Sequence, residues 1–187
     1  MYVVLDDFVP SISIELSFPK KHKAVELGNS IKPKHVECRP IFNIYTMDAA
    51  PTSTRKSNAT YALALTDPDA TSRSNPVKAQ MCHWIATNVT ISPLVSIPLE
   101  INGRGASSGS SGESGGNGIN ELMPYFPPSP PPKTSYHRYV FVVLTSASQE
   151  DDVQLQKPSD RPHWGYEKIG AGVREWAEEN HMVVVGE

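Results

Sequence analysis

Short runs rich in β-branched and aromatic residues recur along the chain, separated by clusters of turn-forming residues. This pattern predicts antiparallel strands. In Ser11 to Leu16 polar and apolar residues alternate strictly, which indicates a strand with one face in water. In Tyr139 to Leu144 apolar residues follow one another, which indicates a strand covered on both faces. The predicted strands are Ile12 to Phe18, Ile41 to Tyr45, Thr60 to Leu65, His83 to Val89 and Tyr139 to Leu144.

Helical periodicity is confined to the end of the chain. Tyr166 to Asn180 has an apolar face and a glutamate-rich face, which predicts an amphipathic helix. Glycines near its start restrict the firm part to Val173 to Asn180. Met182 to Val185 is then a last short strand. Many strands followed by one late helix predict a mainly β fold.

Two segments of unusual composition interrupt the predicted strands. Asn102 to Gly118 is rich in glycine and serine; its burial gives too little free energy to offset the entropy of ordering, so a mobile loop is expected. Pro124 to Pro132 is rich in proline, which predicts a stiff, extended stretch that cannot join a β-ladder. Because strand-like sequence continues on both sides, we interpret residues 102–132 as one insertion in a single domain spanning residues 1–187. A boundary between two domains is the alternative.

Composition narrows the functional classes. The 187-residue chain has a formal net charge of -3, so it lacks the basic excess of a general nucleic-acid-binding protein. A membrane-spanning helix needs about 18 consecutive apolar residues, and no such run is present. Met1 to Lys23 does not have the pattern of a secretory signal peptide. We therefore expect a cytoplasmic protein in which Cys38 and Cys82 are reduced thiols.

Three polar clusters stand at the ends of apolar runs, where a rigid scaffold can present functional groups. They are Thr66 to Arg73, Met81 to Trp84 and Tyr136 to Tyr139. The first holds two carboxylates and Arg73. On these residues alone, a structural turn closed by an ion pair is favoured over a functional site. His83, at a strand start, is more often a packing residue than a ligand. His137 and Tyr139 share one face of a strand, where they either offer two donors to an oxyanion or satisfy backbone groups.

Taken together, these clusters resemble the phosphatidylethanolamine-binding protein family. The run Asp67 to Arg73 is similar to that family's DPDxPSR box, and Ser135 to Tyr139 is similar to its GxHRY box, with a proline-rich segment before it. The tail, Gly170 to Ala177, resembles the fungal branch of the family, which includes inhibitors of carboxypeptidase Y. The resemblance runs almost from end to end.

The resemblance implies a large antiparallel sheet packed on a smaller one, with a C-terminal helix. It also implies a small pocket for phosphate or a phospholipid headgroup, with no catalytic residue, metal or cofactor. The matching pocket residues are Asp67, Asp69, His83, His137 and Tyr139, with Pro131 and Pro132 at a proline rim and Met81, Arg73 and Arg138 in support. Implied protein partners are a serine carboxypeptidase or a signalling kinase.

Some positions depart from the family pattern. Thr71 replaces the usual proline of the first box, so that turn is expected to be less rigid. Ser135 replaces the usual glycine of the second box. Met81-Cys82-His83 stands where relatives often have Trp-His-His, so we expect a softer pocket wall.

We therefore expect a non-enzymatic phosphate-binding or headgroup-binding protein that acts as a signalling adaptor or a serine carboxypeptidase inhibitor. Carboxylates repel an anion unless nearby imidazoles are protonated or direct their N–H groups inward, so phosphate is expected to bind better below about pH 6.5, the reference pKa of histidine. Lys20 to Lys23 is interpreted as a solvated loop, with peripheral contact to anionic headgroups as the alternative. The other histidines show no spacing typical of a zinc site.

The rival hypothesis is a magnesium-dependent phosphatase of the haloacid-dehalogenase type. Asp67, Asp69 and Thr71 also resemble that family's DxDxT box, in which the first aspartate is the nucleophile. That fold alternates strands with helices, whereas Asn75 and Pro76 stand where it requires a helix.

Overall fold

A computed structural model describes residues 4–47, 61–91, 119–147 and 154–187. These residues form two antiparallel sheets, one α-helix and two 3₁₀ turns, at Pro33–His35 and His163–Gly165. The smaller sheet consists of β1 (Ile12–Phe18), β2 (Lys23–Val25) and β3 (Ile41–Thr46), in the order β2-β1-β3. The larger sheet consists of β4 (Tyr61–Asp67), β5 (Met81–Val89), β6 (Asn120–Met123), β7 (Val140–Ser146) and β8 (Met182–Gly186), in the order β6-β5-β4-β7-β8. The helix, α1 (Val173–Glu179), precedes β8.

Two apolar cores lie on opposite faces of the larger sheet. The first lies between the sheets and joins Leu16 of β1 to Leu65 of β4. The second lies between the larger sheet and α1, and includes Ala64 of β4 together with Trp164 and Trp176. Successive residues of β4 alternate between the two cores, because side chains in a strand point to alternate faces. All seven residues of β4 are buried, so this strand is the centre of the fold.

The mainly β architecture predicted from the sequence is confirmed. In β1, Ile12 and Leu16 are buried whereas Ser13 and Glu15 are exposed, as strict alternation predicts. Strand β7 lies between β4 and β8, and its residues 141–144 are all buried and contribute to both cores. The helix begins at Val173 as expected, where Glu175 Oε2 accepts a hydrogen bond from the Gly172 N–H at 2.8 Å.

Two strands were not predicted. β2 has three residues, too few to show a period of two. β6 lies inside the segment that was interpreted as an insertion, yet it pairs with β5 and extends the larger sheet. Residues 124–132 form no strand, as their prolines predict.

The predicted single domain includes residues that the structure does not describe. The glycine-rich and serine-rich part of the predicted insertion, residues 102–118, lies outside the described residues, and the single domain of residues 1–187 stays a prediction. Within the part of the chain that the structure describes, no helix is long and apolar enough to cross a bilayer.

Candidate functional site

The three polar clusters of the sequence meet at one edge of the larger sheet. Strand β4 ends at Asp67, which lies opposite Met81 at the start of β5. On its other side, Thr66 lies opposite Val140 at the start of β7. In an antiparallel sheet the end of one strand lies beside the beginnings of its neighbours, so the clusters share one corner. We call this set of residues the polar corner: Asp67, Asp69, His83, His137 and Tyr139.

A chain of hydrogen bonds runs from Asp67 through His137 to the proline-rich segment. His137 Nδ1 donates to Asp67 Oδ2 at 2.8 Å, and both side chains are almost completely buried. His137 Nε2 lies 3.0 Å from Thr134 Oγ1, which also lies 2.7 Å from the Pro131 carbonyl oxygen. A hydroxyl has one proton, so Thr134 donates either to His137 or to Pro131. When it donates to Pro131, the Thr134 oxygen is an acceptor for a proton on His137 Nε2.

The second carboxylate, Asp69, is held by Arg138. The Arg138 guanidinium donates to both oxygens of Asp69, at 3.0 and 2.7 Å, and the Arg138 N–H donates to Oδ2 at 2.9 Å. Burial acts to raise the pKa of Asp69, but the hydrogen bonds and the charge of Arg138 outweigh it and hold this pKa below its ordinary value. The Asp69 N–H donates in turn to Asp67 Oδ1 at 2.7 Å. Asp69 is thus a carboxylate whose charge is matched inside the chain.

His83 is anchored by the backbone of the proline-rich segment. Its Nδ1 lies 2.7 Å from the Phe126 carbonyl oxygen, and because a carbonyl only accepts, Nδ1 carries the proton. Burial lowers the pKa of His83, although the bond to Phe126 and the charge of Asp67 oppose this effect. Neutral His83 therefore presents a lone pair at Nε2, and this atom becomes a donor only when the ring is protonated.

Tyr139 connects the two histidines. Its ring stacks on that of His137, with centroids 6.4 Å apart, and meets the ring of His83 edge-on at 5.2 Å. Burial raises the pKa of Tyr139, and the charge and hydrogen bond of Asp67 raise it further, so the phenol keeps its proton and donates a hydrogen bond to Asp67. The sequence left open whether His137 and Tyr139 offer two donors to an oxyanion or satisfy backbone groups. In the structure both already donate to Asp67, so an anion must use other nitrogens or replace these bonds.

Sequence analysis missed Arg161, which fixes the backbone around His83. Its guanidinium donates to the carbonyl oxygens of Cys82 at 3.1 Å, His83 at 3.3 Å and Pro124 at 2.8 Å. It also lies over the Phe126 ring, 5.2 Å from the centroid, in a cation–π contact. Arg161 is 78 residues from His83 along the chain, and no motif marks it. Thr134 was also missed, although a hydroxyl three residues before a candidate histidine was a usable signal.

The described residues do not form the fold that the phosphatase hypothesis requires. Their strands are antiparallel, whereas a haloacid-dehalogenase-type fold alternates strands and helices. Asp67, the proposed nucleophile, accepts hydrogen bonds on both oxygens, from Asp69 and His137. Within the described part of the chain, no group of three histidine, cysteine or acidic side chains is arranged to hold a metal ion.

The family model for "Phosphatidylethanolamine-binding protein" matches residues 21–185 of this chain. The chain belongs to the phosphatidylethanolamine-binding protein family. It is 29% identical over 178 residues to the carboxypeptidase Y inhibitor of Saccharomyces cerevisiae, covering 86% of this chain and 75% of that protein. It is 28% identical over 168 residues to "Protein MOTHER of FT and TFL1 homolog 2" of Oryza sativa subsp. japonica, covering 90% and 77%. The predicted similarity to the fungal branch is thus confirmed.

Solved structures of the phosphatidylethanolamine-binding protein family share this fold. The carboxypeptidase Y inhibitor, solved in complex with its cognate proteinase, superposes with a TM-score of 0.73 at 24% identity, covering 96% of this chain and 81% of that one. The phosphatidylethanolamine-binding protein from Plasmodium vivax superposes with a TM-score of 0.66 at 20% identity, covering 95% and 82%. At these identities the likeness concerns the fold.

The structure shows the local geometry at two departures from the family pattern. Ser135 has a φ of 67°, in the left-handed region where glycine costs least, so the glycine of the family box suits this backbone. At Thr71 the turn contains local hydrogen bonds, and its lower rigidity stays a prediction. Thr71 Oγ1 donates to the Asn75 carbonyl oxygen at 3.2 Å, and the Asn75 N–H donates to Ser72 Oγ at 3.1 Å.

The remaining predicted residues lie around the polar corner. Arg73 is exposed and acts on Asp69 through its charge. Met81 is half-buried and pairs with Asp67 in the sheet. Pro131 and Pro132 are both exposed, and Pro131 reaches the polar corner through its carbonyl oxygen, by way of Thr134.

Proposed function

We propose that this protein binds a phosphate-like anion at the polar corner, either free or as the headgroup of a phospholipid. The observation that carries the proposal is the hydrogen bond between His137 and Asp67, which joins buried side chains 70 residues apart. Two imidazoles, a phenol and a matched carboxylate in one buried place provide polar groups whose donors depend on protonation. A site of this kind recognises charge and protonation state together.

The structure supports a specific way for an anion to find donors. His83 Nε2 becomes a donor when the ring is protonated. The Thr134 hydroxyl has a second acceptor in the Pro131 carbonyl oxygen, so it can turn away from His137 Nε2 at little cost in hydrogen bonds. When the His137 ring carries a proton on both nitrogens, the anion accepts a hydrogen bond from Nε2, while Nδ1 keeps its proton and its hydrogen bond to Asp67.

We further propose that the protein acts through binding and not through catalysis, as an adaptor whose docking depends on whether the polar corner is occupied. Cys82, the thiol nearest to this site in the sequence, is buried, and burial raises its pKa to about 12. A thiol of this kind is a poor nucleophile near neutral pH. Asp69 is occupied by Arg138, which supports a structural role for the second carboxylate.

A second candidate function is inhibition of a serine carboxypeptidase. Its support is the 29% identity to the carboxypeptidase Y inhibitor over 86% of this chain, together with the fold shared with that inhibitor. We propose that inhibition uses surface or terminal segments and leaves the polar corner free.

The variant Asp67→Ala tests both proposals. Phosphate binding, measured by titration calorimetry, should weaken by at least about tenfold because His137 loses its charged partner. Inhibition of carboxypeptidase Y, measured with a chromogenic peptide substrate, should stay unchanged. Glu167→Ala, which removes an exposed carboxylate, is the matched control and should change neither activity.

Folding of the variant is checked by circular dichroism, and Asp67→Asn, which keeps the side-chain shape, replaces it if the alanine variant does not fold. Loss of both activities in a folded variant would contradict the separation of the two functions. Unchanged phosphate binding would contradict the proposed site.

A further inference from the structure

Lysines gather around the turn between β1 and β2 and around the 3₁₀ turn Pro33–His35. We call them the basic cluster: Lys20, Lys21, Lys23 and Lys34. The turn between the strands is tight, because Lys21 and His22 have φ values of 66° and 46° and the His22 N–H donates to the Pro19 carbonyl oxygen at 3.3 Å. The chain as a whole has a net charge of -3, so this local positive charge is opposite in sign to the molecule.

An ion pair ties the two parts of the basic cluster together, because Lys20 Nζ lies 2.7 Å from Glu37 Oε2, two residues after the turn Pro33–His35. The side chain of His35 is buried, at 8% exposure, and among the described residues its Nδ1 has no hydrogen-bond partner. Burial lowers the pKa of His35, and all four lysines of the basic cluster lower it further. Lys21, Lys23 and Lys34 are exposed.

A chain of hydrogen bonds links the turn Pro33–His35 to the polar corner. The Tyr125 hydroxyl donates to the carbonyl oxygen of Val36, the residue after His35, at 2.7 Å. The residue after Tyr125 is Phe126, whose carbonyl oxygen accepts from His83. Two hydrogen bonds and two peptide links thus connect the 3₁₀ turn of the basic cluster to a histidine of the polar corner.

Large apolar side chains are exposed beside this charge. Leu27 is fully exposed, at 101%, two residues after the end of β2. Its turn is held by Asn29, whose Nδ2 donates to the Ala24 carbonyl oxygen at 3.0 Å. Phe126, between the basic cluster and the polar corner, is 46% exposed. Exposed apolar residues rimmed by charge are typical of surfaces that dock on a partner or a membrane.

We propose that the basic cluster and Leu27 form a contact surface for a bilayer of net negative charge. The lysines attract anionic headgroups over a distance of about 10 Å, and Leu27 enters the interfacial region, where an aliphatic side chain is favoured. Docking in this orientation brings the polar corner near the lipid surface. Only that last consequence rests on the proposed function, because the contact surface itself needs no ligand at the polar corner.

A single-stranded nucleic acid is the other polyanion that lysines attract. Binding of that kind relies on bases that stack on aromatic side chains set among the basic residues. Residues 19–29 contain no phenylalanine, tyrosine or tryptophan. Phe126 offers one exposed ring, whereas successive bases need several, which favours the lipid surface. Binding to a nucleic acid is therefore one of the outcomes of the test.

Vesicle sedimentation of the full chain tests the proposal. The probe vesicles are phosphatidylcholine alone and phosphatidylcholine with a third of phosphatidylserine. The wild type should bind only the second kind, and less at high salt. A triple variant should weaken binding to these vesicles about 100-fold, at about fivefold for each lysine. Its changes are Lys21→Gln, Lys23→Gln and Lys34→Gln. The control variant, Lys78, Lys157 and Lys168 to Gln, makes the same change in net charge at other exposed positions and should bind within about threefold of wild type.

Two further variants separate this inference from the proposed function. Leu27→Ser should weaken binding severalfold without a change in charge, and Asp67→Ala should leave vesicle binding intact even where it abolishes phosphate binding. Equal loss in both lysine variants, equal binding to neutral vesicles, or tighter binding to a single-stranded oligonucleotide than to the anionic vesicles would overturn the proposal.

Discussion

At the residue scale, the backbone decides which nitrogen of His83 meets a ligand. The Phe126 carbonyl oxygen accepts a hydrogen bond from the protonated Nδ1 at 2.7 Å, so a further proton can be added only at Nε2. Burial lowers the pKa of His83, and the ring is therefore neutral at pH 7 and becomes a donor at Nε2 only below the ordinary histidine value. The pH of about 6.5 predicted from the sequence is thus an upper limit for the contribution of this residue.

Sulfate binding should become tighter as the pH falls from 7.5 to 5. Sulfate has no proton to donate over this range, whereas a phosphate group itself gains one near about pH 6, so sulfate reports the protein alone. We expect a gain of about tenfold from one charge-assisted hydrogen bond, measured by titration calorimetry. His83→Gln should flatten this pH dependence, and His181→Gln, at an exposed position, should not.

The lowered pKa of His83 also limits the pH range in which the experiment can be done. The folded pKa of His83 lies below its unfolded value, so protonation of this ring destabilises the fold as the pH falls through that range. The variants are therefore compared only where circular dichroism shows native protein. If folded His83→Gln keeps the pH dependence of the wild type, protonation of a group other than His83 causes it, which would contradict this prediction.

The motif residues of the polar corner could be predicted from the sequence, whereas the residues that hold them in place could not. Asp67, His83 and His137 were predicted because their types and order resemble a family pattern. Arg161 and Phe126 act through backbone carbonyl oxygens and a ring face. Contacts of that kind place little restriction on sequence, so they became visible only with coordinates.

At the scale of elements, Gln80 ties α1 to the two central strands. Gln80 is almost fully buried, and its Oε1 accepts from Thr66 Oγ1 at 3.2 Å and from the Val173 N–H at 3.4 Å. Trp164 adds a third link, because its Nε1 donates to Thr66 Oγ1 at 3.1 Å. The end of β4, the start of β5 and the start of α1 are therefore held by one network just behind the polar corner.

Gly172→Ala should destabilise this junction. A Cβ at position 172 would lie 2.8 Å from Gln80 Cβ, which forces the buried glutamine to move and breaks its bonds to Thr66 and Val173. We expect a loss of about 1–3 kcal/mol in the free energy of unfolding, measured by urea denaturation. In a Gln80→Gly background, which removes the clashing Cβ, the same change should cost much less. An equal cost in both backgrounds would contradict the steric explanation.

Elements with a strong local pattern were predicted, and those defined by pairing were not. The alternation of β1, the apolar run of β7 and the amphipathic stretch of α1 are each visible in the sequence. β2 and β6 are short edge strands of the two sheets. They owe their form to hydrogen bonds with a neighbour, and three or four residues carry no period of their own.

At the scale of the whole molecule, function depends on contacts between distant parts of the chain. His137 meets Asp67 across 70 residues, and Arg161 meets His83 across 78. Periodicity gives no information on which distant residues meet. The meeting of the three polar clusters was therefore predicted by family resemblance alone. The antiparallel order β5-β4-β7 supplies the physical reason, since it places the end of β4 beside the starts of both neighbours.

A phosphate titration followed by NMR of the histidine rings tests the central claim most directly. The claim is that the polar corner binds the anion. Inorganic phosphate should shift the ring resonances of His83 and His137 in a saturable way with one common affinity, while those of His163 and His181 stay in place. Saturable shifts confined to His163, His181 or the region of the basic cluster, or no saturable shift at all, would contradict the account.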